Sequence, residues 1–496
     1  MNKIQSQMTD EKKDFGFHFD NSYARLPKEF FVHQPPTPVR SPNIIFWNNP
    51  LATSLGLNSA LLQKQGGANF FSGNTIPPGA RPIAQAYAGH QYGQFNILGD
   101  GRAILLGEQM TPNGERFDLQ LKGSGPTPFS RGNDGRATLG SMLREYIMSE
   151  AMHALGIPTT RSLAVTTTGE YVDRESPTHG AVLTRVASSH IRAGTFEYVA
   201  VKCDPSQLKI LADYTIKRHF PDLLNHANPY LDFLFNVVER QAALIARWQL
   251  IGFVHGVMNT DNMAISGETI DYGPCAFMNS YNPDTVFSSI DKKGRYSFKN
   301  QPTVAIWNLS RFGEVILPLL HPDSEKGLII AQEAMESFST KFQRYWLAGM
   351  RGKLGLFSEE NEDFYLIDDL LKWMKENNTD YINTFRALSS QNVSKDMFTK
   401  SETFVPWHKR WKERLKRQKE SEDMSKNLMR HVHPAVIPRN HLVEEAIQAA
   451  VERSDYTVMQ NLLDALQNPY DETKRNPKYT QTPLPSETPY KTFCGT

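Results

Sequence analysis

In the stretch HGVMNTDNMAISGETIDYGP, residues 255–274, three acid or amide side chains, Asn259, Asp261 and Asn262, fall within four positions, and Asp271 follows Asn262 by nine. A short polar turn at the end of an apolar helix, followed by an Ile-Asp-Tyr-Gly turn, can hold a divalent metal and the phosphate it serves. Other groups suited to phosphate stand upstream. Gly99, Asp100, Gly101 and Arg102 make a Gly-rich turn, Lys122 ends an alternating segment, and Glu145 and Glu150 lie in a segment of helical period. Residues 122–141, KGSGPTPFSRGNDGRATLGS, carry five glycines and lead into a helix whose first N–H groups can face a phosphate. Arg185 and Arg192 add two guanidinium groups seven residues apart. Singly, each has a plain explanation: most Gly-Asp-Gly triplets are turns, a strand-end lysine is usually solvated, and arginines usually pair with acids. The ordered set is harder to produce by accident.

These residues need elements to hold them. The runs ILGDGRAILLGEQM and GERFDLQLKG, from residue 97, read as strands joined by TPNG, whose Asn-Gly is a hairpin signal. In the second, Phe117, Leu119 and Leu121 alternate with Asp118, Gln120 and Lys122, so Lys122 projects away from the core. The spacing of Leu139, Leu143, Tyr146, Ile147, Ala151 and Ala154 predicts a helix over 138–158, with Glu150 rather than Glu145 in its apolar stripe. A second helix over 231–251 delivers the chain into the polar turn, and 304–430 is mostly helical in pattern. The basic run WHKRWKERLKRQKE, 407–420, reads as a solvated helix face with Trp407 and Trp411 packed inward. Residues 1–80 look loop-rich and wrap a larger body; the tail from 465 is expected to be extended.

The 496 residues can bury a large core, and 54 Lys plus Arg nearly balance 53 Asp plus Glu. No global field draws nucleic acid or anionic lipid, so any polyanion site is local. Three cysteines, Cys203, Cys275 and Cys494, do not make a secreted disulfide scaffold. With no signal-peptide pattern and no apolar run of about 20 residues, a soluble cytoplasmic monomer is expected.

The order Gly-rich turn, strand Lys, helix Glu, loop Asn and metal Asp is that of protein kinases and aminoglycoside-type kinases. His255 and Asn262 keep the kinase catalytic-loop spacing, but the base position is Val257, and an acid, Asp261, stands beside Asn262 instead. Together GDGRA, DLQLKGSGPTPFSRGNDGRATLGS, SEAMHALGIPTTRSL, GFVHGVMNTDNMAISGETIDYGPCAFM, GRYSFKNQP and the terminal TFCGT resemble the selenoprotein O family, from about residue 80 to the C-terminus.

That resemblance implies an α+β, protein-kinase-like two-lobe fold: an extension 1–80, a mixed nucleotide-binding lobe 81–200, a helical lobe 201–430 and a C-terminal extension 431–496. It implies a protein adenylyltransferase that binds ATP reversed relative to kinases and passes AMP to Ser, Thr or Tyr hydroxyls of proteins, with UTP as a possible second donor. Asp261 carries over as the proton acceptor, and Asn262 and Asp271 as Mg²⁺ or Mn²⁺ ligands. Lys122, Arg185 and Arg192 carry over around the terminal phosphates, with Gly99, Gly101, Arg102, Asp134 and Gly135 near the nucleotide, and Glu145 as the partner of Lys122. A carboxylate at Asp261, on an open loop, is expected to be ionised at neutral pH. Where some relatives carry a redox cysteine this chain has Phe287, which leaves Cys275 with Cys494 as a candidate bridge. A γ-phosphoryl-transferring kinase and an inactive pseudokinase scaffold are the alternatives.

Overall fold

The computed structural model describes residues 14–64, 66–389, 404–471, 476–483 and 490–492. Short strands β1 (Phe31–His33) and β2 (Asn43–Trp47) precede helices α1 (Asn49–Ser54), α2 (Ser59–Lys64) and α3 (Gly67–Ser72). Strands β3 (Ile83–Gln85), β4 (Ala88–Gln91), β5 (Gln94–Ile97), β6 (Ala103–Met110) and β7 (Arg116–Lys122) follow, then α4 (Leu139–Ala154), β8 (Arg161–Val172) and β9 (Thr178–Ala187). Seven strands form one antiparallel sheet in the order β1-β3-β6-β7-β9-β8-β2, while β4 and β5 pair separately as a hairpin.

Two expectations change here. The segment before residue 80 does more than wrap: it supplies both edge strands of the sheet, and Phe15, Phe17 and Phe19 pack onto the cluster of Leu51, Leu55, Phe71 and Leu119. The polar face of β7 is not open to water either, because Asp118, Gln120 and Lys122 are all buried against charged partners. Alternation identified the two faces of the strand correctly but could not tell a solvated polar face from an ionic interior.

Thr138 caps α4, its side chain accepting from Ser141 N at 3.3 Å, and the helix lies between strands β8 and β9 and the helix Asn440–Arg453. Helices α5 (Ala193–Lys202), α6 (Pro205–His219) and α7 (Pro229–Leu250) lead to a two-residue strand β10 (Phe253–Val254), which pairs with β11 (Ala276–Phe277). Between them runs the polar turn. Helices α8 (Gln301–Leu320) and α9 (Ser324–Lys353) pack on α7. The chain continues through α10 (Asp363–Glu376) and α11 (Tyr381–Leu388) to helices Phe404–Leu415 and Glu422–Val432. In the basic helix Trp407 and Trp411 are buried and stacked at 5.8 Å, as the spacing predicted. One apolar core runs from Leu105, Val165 and Leu183 of the sheet through α4 to Phe233, Val237 and Phe312 of the helical part. The architecture is α+β, and among the described residues no helix is long and apolar enough to cross a membrane.

Candidate functional site

Lys122, at the end of β7, places Nζ 2.6 Å from Glu145 Oε2 on α4 and 2.8 Å from Asp271 Oδ1. Arg185 faces Gln120 across the β7–β9 ladder; its Nη1 donates to Asp271 Oδ1 at 2.5 Å and to Glu145 Oε1 at 3.3 Å, while Nη2 donates to Gln120 Oε1 at 2.6 Å. Arg192 occupies the N-cap position of α5, with Nη2 3.8 Å from Asp271 Oδ2 and 4.0 Å from Asp100 Oδ1, and its guanidinium 4.2 Å from the Tyr87 ring centroid. Both arginines are only 2% exposed, so this is an interior charge cluster rather than a set of surface pairs.

Burial alone would raise the pKa of Asp271, but Lys122, Arg185 and Arg192 overcome it and hold the carboxyl well below its ordinary range. Asp271 also takes a left-handed backbone conformation, φ 60°, which few non-glycine residues adopt and which turns its carboxylate into the cluster. Glu150, chosen by the helical stripe, instead accepts from Arg161 at 2.9 and 2.7 Å and from Asn48 Nδ2 at 2.7 Å. The lysine's partner is Glu145.

The polar turn is assembled from the other side. His255 is buried; its Nε2 lies 2.9 Å from Ile270 O and its N–H donates to Gln301 Oε1 at 3.0 Å, so it ties the turn to the Asp271 segment and to α8. Asn262 Nδ2 donates to Val257 O at 2.9 Å, which turns Oδ1 away from that backbone. Asp261 is 8% exposed, not on an open loop: the β4–β5 hairpin covers it, and a Cβ on Gly89 would lie 2.2 Å from its Oδ1. That oxygen has no hydrogen-bond partner. Burial, opposed by Arg192 and reinforced by Asp271 and Glu197, pushes the pKa of Asp261 up to about 7. The expectation of full ionisation at neutral pH is therefore corrected, the cause being a hairpin far upstream in sequence.

Gly99, at φ 131°, lies flat on Phe129, where a Cβ would come within 2.4 Å of the ring. The loop after Lys122 folds back under this turn, Thr127 Oγ1 donating to Asp100 O at 2.6 Å and Ser130 Oγ to Gly101 O. Gly135 pairs with Gly125, whose N–H donates to Gly135 O at 3.1 Å, and Asp134 is held by Arg174 at 3.0 Å and by Arg136 N at 2.9 Å. Arg102, Lys122, Glu145, Tyr272 and Gly273 line a cavity of about 400 Å³, which Tyr490 and Thr492 also line. The fold thus joins Lys122, Glu145, Arg185, Arg192 and Asp271 by direct contact, sets Arg102 on the same wall, and engages Asp134 with other arginines.

Tyr87, Gly89 and Gln120 were missed as site residues, and Asp100 was noted only as part of the Gly-rich turn. Asp100, which accepts from Gln85 N and Gln120 Nε2 at 3.0 and 3.2 Å, is pushed by burial to a pKa of about 6 despite the nearby Arg192. The alternation that flagged Lys122 could have flagged Gln120; nothing local marks Gly89. Cys275 is buried, and its suggested partner Cys494 lies outside the described residues. Phe287 meets the C-terminal segment through Thr492 N, which donates to Phe287 O at 2.8 Å.

Residues 15–467 match the family model described as protein adenylyltransferase SelO. The chain belongs to this family. Relatives named protein nucleotidyltransferase YdiU include that of Bacillus cytotoxicus, 59% identical over 486 residues, which are 98% of this chain and 99% of that protein. That of Alkaliphilus metalliredigens is 58% identical over 481 residues, 97% of this chain and 98% of its own. That of Brevibacillus brevis is 58% identical over 491 residues, 99% of this chain and all of the relative.

Proposed function

We propose that this protein transfers AMP from ATP to Ser, Thr or Tyr hydroxyls of other proteins and releases pyrophosphate. It would do so on a protein-kinase-like two-lobe frame, with 81–200 as the nucleotide-binding lobe and 201–430 as the helical lobe, flanked by extensions 1–80 and 431–496. The observation that carries this reading is the convergence of Lys122, Arg185 and Arg192 on Asp271. Transfer of a γ-phosphoryl group uses the lysine and a base at the position of Val257; it does not call for two further buried guanidinium groups. A reversed ATP does, because its two terminal phosphates leave together as pyrophosphate. In that pose they lie among the three cations and the α-phosphorus points toward Asp261, with Gly99, Gly101, Arg102 and the Asp134–Gly135 turn around the rest of the nucleotide.

The acceptor hydroxyl gives its proton to the Asp261 carboxylate as its oxygen bonds to the α-phosphorus and the bond to the β-phosphate oxygen breaks. The burial that raises the proton affinity of Asp261 suits it to that task. Glu145 holds Lys122 in place, and Lys122, Arg185 and Arg192 receive the charge of the leaving pyrophosphate in a site that screens it little. The oxygen-only donors Asn262 and Asp271 fit a hard cation, Mg²⁺ or Mn²⁺, and are the modest ligand set of an ion shared with a substrate's phosphates. Bound there, the ion would neutralise charge on the phosphate oxygens.

The test is incubation with protein acceptors and ATP labelled at either the α- or the γ-phosphate, with α-labelled UTP in parallel. Label from the α-position alone is expected; label from γ means a kinase, and none from either means a scaffold.

A further inference from the structure

Beside Asp261 the fold builds a cationic aromatic ledge that the chemistry above does not use. The β4–β5 hairpin is pinned to the polar turn by His90 N donating to Thr260 Oγ1 at 2.8 Å and Tyr92 N donating to Asn259 Oδ1 at 3.1 Å. A second segment reaches the same asparagine: Tyr296 OH donates to Asn259 Oδ1 at 2.5 Å. Asp291 fixes that segment, its carboxylate accepting from Arg295 N and Tyr296 N at 3.0 and 2.8 Å. The guanidinium of Arg295 lies between the hairpin tip at Gly93 and Trp307, 4.9 Å from the indole centroid. His90 meets the same indole edge-on at 5.2 Å, and Phe95, 40% exposed, continues the surface at 5.2 Å from His90.

Three of the cations on this ledge have no ion-pair partner among the described residues. Among the described residues no carboxylate lies within ion-pair distance of Arg295, Lys292 or Lys293, and Arg295 Nε is buried without a hydrogen-bond partner. His90 is paired with Glu197 at 2.7 Å, and Arg311, 5.3 Å from the Trp307 centroid, is paired with Glu314, whereas Lys292, Lys293 and Arg295 stand beside Asp291 with no such ion pair among the described residues. Asp261 follows by two residues Asn259, whose side chain accepts from both walls of the ledge.

We infer that this ledge receives an acidic segment of the protein acceptor, whose carboxylates pair with Arg295, Lys292 and Lys293 while the hydroxyl on the same segment faces Asp261. The inference rests on the adenylyl-transfer reading for the role of the hydroxyl, but the docking surface is separately measurable. A planar guanidinium held on an indole is pre-oriented for bidentate carboxylate pairing, and exposed aromatic surface beside it adds contact area at small entropic cost.

The experiment uses two fluorescein-labelled peptides with a central tyrosine, one flanked by glutamates and one by lysines. Their binding to the full-length protein is read by anisotropy, and AMP transfer to each is read with α-labelled ATP. The wild type should bind the glutamate peptide at least about tenfold more tightly, with the preference shrinking as salt is raised. The variant Lys292→Glu/Lys293→Glu/Arg295→Glu should reverse the preference and leave the KM for ATP unchanged. A gain for the lysine peptide cannot come from misfolding. Equal binding of the two peptides by wild type, equal loss of both in the variant, or a raised KM for ATP, which would make the ledge part of the nucleotide site, overturns the inference. Charge-selective binding without label transfer would uphold the ledge and refute the adenylyl-transfer reading.

Discussion

Lys353, the last residue of α9, points its amine into an aromatic cage, 4.4 Å from the Phe385 centroid and 5.1 Å from that of Tyr381, with no hydrogen-bond partner for Nζ. The ionisable groups near it give no compensation: His433, whose Nε2 lies 2.8 Å from Lys353 O, is kept neutral by burial, and Arg386 is a cation. Burial pushes the lysine's pKa down to about 7. Its unfolded value is about 10.4. Between those values the unfolded chain binds the proton and the folded one does not, so stability rises with pH over that window and is lost as pH falls toward 7. The slope approaches about 1.4 kcal/mol per pH unit, and integration from pH 7 to 9 gives about 2 kcal/mol. Lys353→Met keeps the length and apolar contacts of the side chain and removes the titration. Urea unfolding followed by tryptophan fluorescence should find the variant more stable than the parent at pH 7, with the gap about 2 kcal/mol smaller at pH 9. Parallel profiles for the two proteins would refute the reasoning and mean that the ammonium stays charged inside the fold.

Gly89→Ala forces a methyl against Asp261 Oδ1, so AMP transfer should fall at least about tenfold while the KM for ATP holds; an unchanged rate would show that the hairpin does not position that carboxylate. Glu145→Gln should reduce transfer about a hundredfold or more, whereas Glu150→Gln should alter the melting temperature and leave the rate near the parent's, because only the first acid touches Lys122. Trp411→Ala removes a buried indole whose N–H donates to Leu354 O at 2.9 Å, and should cost about 3–5 kcal/mol in unfolding experiments with little effect on the KM for ATP. A shift in that KM instead would give the basic helix a role in binding.

Which parts of this molecule could be read from its letters follows from how local their causes are. The end of α4 at Gly156 and Pro158 and the long stripe of α7 depend on neighbours within a turn or two, and both helices lie where the spacing put them. The choice between Glu145 and Glu150 was different. Residues 142–149 of α4 are all buried, between the sheet on one side and Asn440–Arg453 on the other, and a helix covered all round has no stripe to interpret. Ordered motifs chose the right acid because they encode the lysine it must reach. The state of Asp261 depends on Gly89 and His90, brought over it from far upstream, and nothing in the polar turn itself reveals that cover. The strands at 31–33 and 43–47 were hidden by the prolines between them, which mark the crossing from one edge of the sheet to the other.

That crossing bears on how the chain is made. Asn43 of β2 pairs with Thr167 of β8, so the strand emerges from the ribosome long before the ladder it joins exists. At about 5–20 residues per second the wait is on the order of ten seconds. Throughout it Ile44, Phe46 and Trp47 sit on an unpaired, β-prone segment of the nascent polypeptide, where a holding chaperone has most reason to bind.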